Sequence, residues 1–190
     1  MARPKQFDES GAVDAAMRAF WDAGYEGTST QDLCAATGLG RSSIYNTFSS
    51  KRDLFERALR AYMESKNAGT FAVLDGPGTA KEKLRMLLWG VVDAPEDDPL
   101  GCLVVNTTVE MGSRDPEVAD LLRADLDRRT AALVAVIRAG QSAGEIDDRS
   151  GPADLAQFVI ATIGGMRVAA RGGAGRDTLA GIAETAMRCL

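Results

Sequence analysis

The sequence predicts an all-α fold of about nine helices. Apolar residues recur at the three- and four-residue spacing of a helix face through most of the chain, and capping residues or Gly and Pro breaks separate these segments. No segment shows a convincing strand pattern. The 190 residues, 45% of them hydrophobic, suffice for one domain or two small ones with a substantial core.

The beginning of the chain contains two clear helix patterns. The first covers 10–23 and ends at Gly24, a residue type favoured just after a helix. Ser29 and Asp32 then have the spacing of a capping box, in which each residue satisfies a backbone N–H of the other. They predict a second helix that runs to about Thr37.

A short third helix and a long fourth helix follow. The third is predicted from Arg41 to Phe48 after the turn Gly38-Leu39-Gly40. Its predicted inner side carries Ile44, Tyr45 and Phe48. The fourth is opened by Ser50 and Asp53 as an N-cap pair and is amphipathic as far as about residue 70.

The rest of the chain adds five helices. Asp75-Gly-Pro-Gly78 is the clearest break, and we place a domain boundary near it. After it, a Thr79–Glu82 capping box opens a helix, which is followed by a loop at 94–99 and an apolar helix at 100–111. Asp115-Pro116 opens a long helix. A turn region at 144–152 and helices at 152–171 and 176–189 complete the chain. We therefore expect an N-terminal domain at 1–55, a linking helix at 51–70 and a C-terminal domain at 71–190.

Composition excludes several classes of function. The chain has no histidine, and its three cysteines (Cys34, Cys102 and Cys189) are too scattered for a zinc site or a disulfide framework. We therefore expect no enzyme, no metal and no cofactor, and a reducing, cytoplasmic compartment. No apolar run of membrane-spanning length is present, and no apolar stretch of a secretory signal follows Arg3 and Lys5.

Charge is distributed unevenly along the chain. The net charge is −5, but residues 1–66 hold nine basic and nine acidic side chains and are neutral. The negative charge therefore comes from residues 67–190. Residues 41–60 hold five basic side chains against two acidic ones. A locally basic patch on an acidic protein is the feature that matters for contact with phosphate groups.

Core formation does not explain the polar third helix. A helix of this length is marginal alone, and its serines, Asn46 and Thr47 bury little apolar surface. Two helices joined by a Gly-containing turn, with the second polar on its outer side, are typical of a helix-turn-helix. The sequence therefore predicts a three-helix DNA-binding domain followed by a C-terminal helical domain.

Four ordered motifs resemble the DNA-binding region of TetR/AcrR-family transcriptional regulators. They are AVDAAMRAF at 12–20, GYEGTS at 24–29, DLCAATG at 32–38 and IYNTFSSK at 44–51. The resemblance implies a homodimer that binds a palindromic operator, most often as a repressor. It also implies that the C-terminal helical domain is a ligand-binding and dimerisation domain, through which a small ligand or a reactive species releases the DNA. The family usually has His just before the Phe, whereas this chain has Thr47, so that phosphate contact is weaker or replaced.

Eight side chains are candidates for contact with DNA. Ser and Thr hydroxyls bind phosphates or base edges, Arg41 reaches a guanine or a phosphate, and the Tyr45 hydroxyl reaches the backbone. Lys51 adds charge where helix N–H groups already favour an anion. The candidates are Thr30, Arg41, Ser42, Ser43, Tyr45, Asn46, Thr47 and Lys51. The alternatives are that Arg41 and Lys51 are solvated charges and that Tyr45 fills the core.

A largely apolar effector is expected in the C-terminal domain, because ligand pockets are usually apolar. Asn106 is polar within an apolar helix and needs a partner, either a ligand or a backbone carbonyl. The candidate pocket residues are Phe71, Met86, Trp89, Cys102, Asn106, Met111, Phe158 and Met166. Each could equally be ordinary core.

Two further expectations concern Cys102 and assembly. Cys102 lies near the start of the apolar helix, where the helix dipole favours a thiolate, so it is either a sensor or, if buried among its apolar neighbours, only packing. The last two helices are expected to form the dimer interface, since Gly164-Gly165 lets another helix approach closely.

Two alternative functions have less support. A thiol-dependent enzyme would lack a histidine base, and a helical adaptor without DNA binding would leave the basic patch unexplained. DNA binding accounts for both the short polar helix and the charge around it.

Overall fold

This computed structural model describes residues 8–94 and 101–190, and those residues form nine helices and no strand. The helices are α1 (Glu9–Gly27), α2 (Thr30–Thr37), α3 (Arg41–Thr47), α4 (Lys51–Asp75), α5 (Ala80–Val92), α6 (Leu103–Met111), α7 (Pro116–Ser142), α8 (Pro152–Arg171) and α9 (Arg176–Arg188). The predicted all-α class is confirmed. The loop predicted at 94–99, apart from Ala94, and Leu100 lie outside the described residues.

The chain divides into two compact units, Met1–Glu64 and Ser65–Leu190. The division falls inside α4, which is one helix from Lys51 to Asp75 and extends five residues beyond the predicted end near residue 70. Each unit therefore has its own core, and α4 contributes to both.

Local caps begin and end the helices of the first unit. The predicted capping box is confirmed, since Asp32 accepts a hydrogen bond from the Ser29 N–H at 2.8 Å and its own N–H donates to the Ser29 hydroxyl. Gly24 interrupts α1 and Gly38 follows α2, both at positive φ (78° and 68°), where a side chain would be strained. The Ser50 hydroxyl accepts from the Asp53 N–H at 3.0 Å and starts α4.

Aromatic and aliphatic side chains from all four helices form the core of the first unit. Phe20 of α1 meets Phe55 of α4 edge-to-face with ring centroids 5.1 Å apart, and neither ring is more than 1% exposed. Leu33 of α2 and Ile44 of α3 are equally buried. Each such side chain contributes about 1.5–3 kcal/mol through burial, which holds the short α3 in place.

Tyr45 does not lie on the inner side of α3, contrary to the prediction. Ile44 and Phe48 are buried, whereas Tyr45 is 38% exposed. Consecutive side chains of a helix point about 100° apart, so Ile44 and Tyr45 cannot both face the core directly. The short α3 packs against the other helices along one narrow stripe only. Tyr45 is therefore available at the surface.

The second unit starts its helices with the predicted caps. Thr79 and Glu82 form the capping box of α5, and Asp115 caps α7 ahead of Pro116. The start of α6 differs from the prediction, because Leu103 is its first residue and Cys102 is its N-cap.

Two apolar clusters form the interior of the second unit. The first includes Leu84, Leu133, Ile137 and Val159, and the second includes Leu88, Met166 and Ala183. Ile163 packs against both clusters. Helices α5, α7, α8 and α9 therefore pack as one body.

Within the described residues, α8 is long and apolar enough to cross a membrane by length and composition alone, with a mean hydropathy of 1.2. Leu155, Val159 and Met166 nevertheless face the apolar clusters, as expected of a core helix. Only 22% of the apolar window is buried, so much of the outer face of α8 is left uncovered.

Candidate nucleic-acid interface

The outer face of α3 is polar and exposed. Arg41, Ser42, Ser43 and Asn46 are all exposed, and Thr47 at the end of the helix is partly buried. The buried stripe of Ile44 and Phe48 fixes the helix from the opposite side. This arrangement presents two hydroxyls, an amide and a guanidinium together, which are the groups that bind base edges and phosphates.

A pair of hydroxyl groups links α2 to α3. The Thr30 Oγ1 and Tyr45 OH atoms lie 3.0 Å apart in a hydrogen bond. The Arg41 guanidinium lies 5.8 Å from the centre of the Tyr45 ring. Three of the predicted side chains therefore form one connected group, which limits the positions that Arg41 and Tyr45 adopt.

Lys51 is positioned by an aromatic ring that the sequence analysis did not select. Its Nζ lies 4.4 Å from the centre of the Tyr25 ring, and that ring also packs on Phe55 at 4.9 Å. A cation over an aromatic face gains about 0.5–1 kcal/mol at such a site. No local spacing marks this contact, because 26 residues separate Tyr25 from Lys51.

Ion pairing separates the basic side chains into two groups. Arg52 pairs with Glu56 at 2.5 Å, and Arg57 pairs with Asp53 and Glu9. In the part of the chain that the structure describes, neither Arg41 nor Lys51 forms an ion pair. These two cations are thus free to meet phosphate groups.

The carboxylates of Asp53 and Asp32 accept hydrogen bonds at the helix starts near these cations. The hydrogen bond from Arg57, followed by contacts from Ser49, lowers the pKa of Asp53. The Ser29 hydroxyl and N–H lower the pKa of Asp32 in the capping box. Both groups are therefore ionised at neutral pH and are held by local donors.

The eight ligand-pocket candidates lie in different environments. Cys102, Met111 and Met166 are buried, Phe71, Trp89 and Asn106 are partly buried, and Met86 and Phe158 are 46% and 38% exposed. Trp89 and Met166 belong to the same apolar cluster, and the Arg85 guanidinium lies 3.9 Å from a Trp89 ring centre.

Sequence profiles identify both units. The profile described as bacterial regulatory proteins of the tetR family matches residues 12–58, and the Tetracyclin repressor-like C-terminal domain profile matches residues 80–186. The chain belongs to the TetR family. The four motifs quoted from 12–51 fall entirely within the first match, so the resemblance is confirmed.

Named relatives agree with this assignment. The chain is 31% identical to the HTH-type transcriptional repressor ComR of Escherichia coli over 98% of its own length and 90% of ComR. It is 40% identical to an uncharacterized HTH-type regulator, YezE of Bacillus subtilis, over 63% of this chain and 62% of YezE. This TetR-family chain is a DNA-binding transcriptional regulator.

Solved structures of the family have the same fold. A cysteine mutant of the TetR-family regulator CifR, complexed with 26-base-pair operator DNA, matches with a TM-score of 0.87 and 31% identity, covering 98% of each chain. A TetR regulator from Chloroflexus aurantiacus matches with a TM-score of 0.85 and 27% identity, covering 94% of this chain and 91% of that one.

Proposed function

We propose that this protein is a one-component repressor that binds a palindromic operator as a homodimer and leaves it when a small, largely apolar ligand enters the C-terminal unit. The exposed polar face of α3 carries the proposal, together with its Arg41 and the nearby Lys51, neither of which forms an ion pair with any described residue. The operator-bound CifR structure and the repressor ComR support it.

The DNA contacts divide into two kinds. Arg41, Ser42, Ser43 and Asn46 lie on the outer face of α3 and read base edges in the major groove. Lys51 contacts phosphate at the N-terminus of α4. The paired hydroxyls of Thr30 and Tyr45 hold the adjacent phosphate. Thr47 stands at the position where the family usually has His.

The uncovered face of α8, together with α9, forms the dimer interface. Ala161, Gly165 and Val168 are exposed and lie at helical spacing on one stripe of α8, and Phe158 continues it. Small residues on such a stripe let a second helix pack closely. We call Ala161, Gly165 and Val168 the α8 stripe. Two copies would bury it against each other and place two α3 helices on one duplex.

We place the protein among cytoplasmic regulators rather than enzymes or adaptors. The described residues hold no group of three or more His, Cys, Asp or Glu side chains that could bind a metal ion, and the sequence supplies no histidine base. An adaptor would not need the polar outer face of α3 with Arg41 on it and Lys51 nearby.

Selection of DNA fragments with the purified protein tests the proposal directly. We expect enrichment of a palindrome whose half-sites lie about one helical turn, roughly 10 base pairs, or a small multiple apart. Affinity for that palindrome should fall steeply with salt, because phosphate contacts release counterions. Failure to enrich any duplex, or binding that does not change with salt, would refute DNA recognition by this face.

Cys102 is expected to act in packing rather than as a sensor of reactive species. Its side chain is buried at the N-cap of α6 and makes no capping hydrogen bond. After treatment with a mild electrophile, wild type and Cys102→Ser should retain operator DNA equally in a gel-shift assay. Release from the wild type alone would instead identify the thiol as the trigger.

A further inference from the structure

Within α3, the side chains of Ser42 and Asn46 point most directly away from the core of the first unit. Ile44 is 1% exposed and marks the inner side of the helix. Successive side chains turn by about 100°, so a residue two positions from Ile44, in either direction, points about 160° away from it. Residues one or three positions from Ile44 point only about 100° or 60° away from it and therefore lie at the edges of the exposed face.

One edge of that face is held against the neighbouring helix α2. The hydroxyls of Tyr45 and Thr30 lie 3.0 Å apart in a hydrogen bond, and the Arg41 guanidinium lies 5.8 Å from the centre of the Tyr45 ring. These contacts keep Tyr45 and Arg41 to the side, and Asn46 stays exposed to solvent. A short side chain at the centre of the face contacts only the group that lies directly opposite it.

The fold of the first unit does not require an asparagine at position 46. Among the described residues the Asn46 amide has no hydrogen-bond partner, whereas the buried Asn67 amide donates to Asp125 at 2.6 Å. Asparagine also suits left-handed backbone, but no described residue other than glycine has a positive φ. Alanine would form this helix more readily. The amide is therefore explained by what it can bind from the surface.

The Asn46 amide matches the major-groove edge of adenine. An asparagine side chain offers one N–H donor and one carbonyl acceptor side by side. Adenine presents the N7 acceptor next to the N6 amino donor, and asparagine bonds both at once. The Ser42 hydroxyl both donates and accepts, so it fits any base and does not discriminate among them.

We propose that Asn46 is the specificity-determining residue of α3 and reads an adenine in the major groove of each half-site. Its Nδ2–H donates to adenine N7, and its Oδ1 accepts from the N6 amino group. This inference rests on the proposed function and adds to it the identity of one base pair. It requires only the geometry of α3 within the first unit.

DNA selection with wild type and with Asn46→Ala tests the inference. The wild-type sequence should have an A·T pair at one fixed position of each half-site, and the variant should lose preference at that position alone. Replacing this pair in both half-sites should weaken wild-type binding by roughly a hundredfold, since one bidentate contact discriminates by about tenfold per half-site. Binding by Asn46→Ala should hardly change.

A modified operator separates the hydrogen bond from effects of DNA shape. A deazaadenine that carries C–H in place of N7 keeps the base pair and the N6 amino group but removes one acceptor. In fluorescence anisotropy it should weaken wild-type binding by about fivefold or more per half-site, because the Asn46 donor loses its partner. Asn46→Ala should bind the modified and unmodified operators equally.

Thr47→Ala is the matched control. It removes a polar group from the next residue of the same helix, and Thr47 is partly buried at the edge of the exposed face. This variant should keep the wild-type preference for the A·T pair and the wild-type loss on the modified operator, whatever its overall affinity.

Each possible result decides the inference. An Asn46→Ala protein that keeps the wild-type preference at every position would overturn it, as would a preference lost at a G·C pair or an equal loss by both proteins on the modified operator. An Asn46→Ala protein that is unfolded by circular dichroism would also overturn it, because the side chain would then serve the fold. A wild type that enriches no duplex would instead refute the proposed function, before any variant is made.

Discussion

Val168→Glu is expected to convert the dimer to a monomer and to weaken operator binding by at least about a hundredfold, because two linked half-site contacts bind far more tightly than one. Val168 is 57% exposed on the α8 stripe, where a glutamate would be buried against the same glutamate of the second copy. Unpaired like charges in such an interface are strongly unfavourable. Sedimentation velocity measures the assembly state, and fluorescence anisotropy measures the affinity.

Val109→Glu is the matched control for this prediction. Val109 is 80% exposed on α6, lies outside the α8 stripe and receives the same substitution in the same unit. That variant should remain dimeric with unchanged operator affinity. A Val168→Glu protein that sediments as a dimer and binds DNA normally would show that the interface lies elsewhere.

Lys51→Ala should weaken binding to every duplex by about tenfold or more, since each half of the dimer loses one charge-assisted contact to phosphate. Loss of two contacts per dimer lowers the slope of log affinity against log salt by about 1.8. The order of preference among operator sequences should not change, because phosphate contacts carry no base information. A salt titration of wild type and variant on the selected operator and on a random duplex gives all three quantities.

Arg52→Ala is the neighbouring control. Arg52 follows Lys51 directly but is paired with Glu56, so its removal should change affinity and salt slope much less. Arg41→Ala should differ from both, because a base contact alters preference among sequences. Equal effects of Lys51→Ala and Arg52→Ala would show that only the overall charge of this face matters.

Much of the candidate interface could be predicted from the sequence because its residues are close together in the chain. The short helix after Gly38-Leu39-Gly40 and its exposed serines follow from spacing and residue type. The prediction that Tyr45 lies on the inner side of α3 is wrong. Ile44 and Tyr45 are adjacent in the sequence, and only the packing of α3 against the other helices decides which of them is buried.

The sequence by itself determined the helices and their ends. Capping by Ser29 with Asp32 or by Thr79 with Glu82 acts between residues three apart, and Asp115-Pro116 acts within one turn, so each is visible as a local spacing. The family motifs are equally local. These features determine the all-α class and the position of the short polar helix α3.

Only the tertiary structure decided which charged and polar side chains are paired. Lys51 lies over a ring 26 residues earlier in the chain, and Asn67 meets Asp125 across 58 residues. The same structure pairs Arg57 with Glu9 across 48 residues, and among the described residues it leaves Arg41 without an ion pair. Contacts between distant segments depend on how helices pack, and the side-chain spacing within one helix contains no information about that packing.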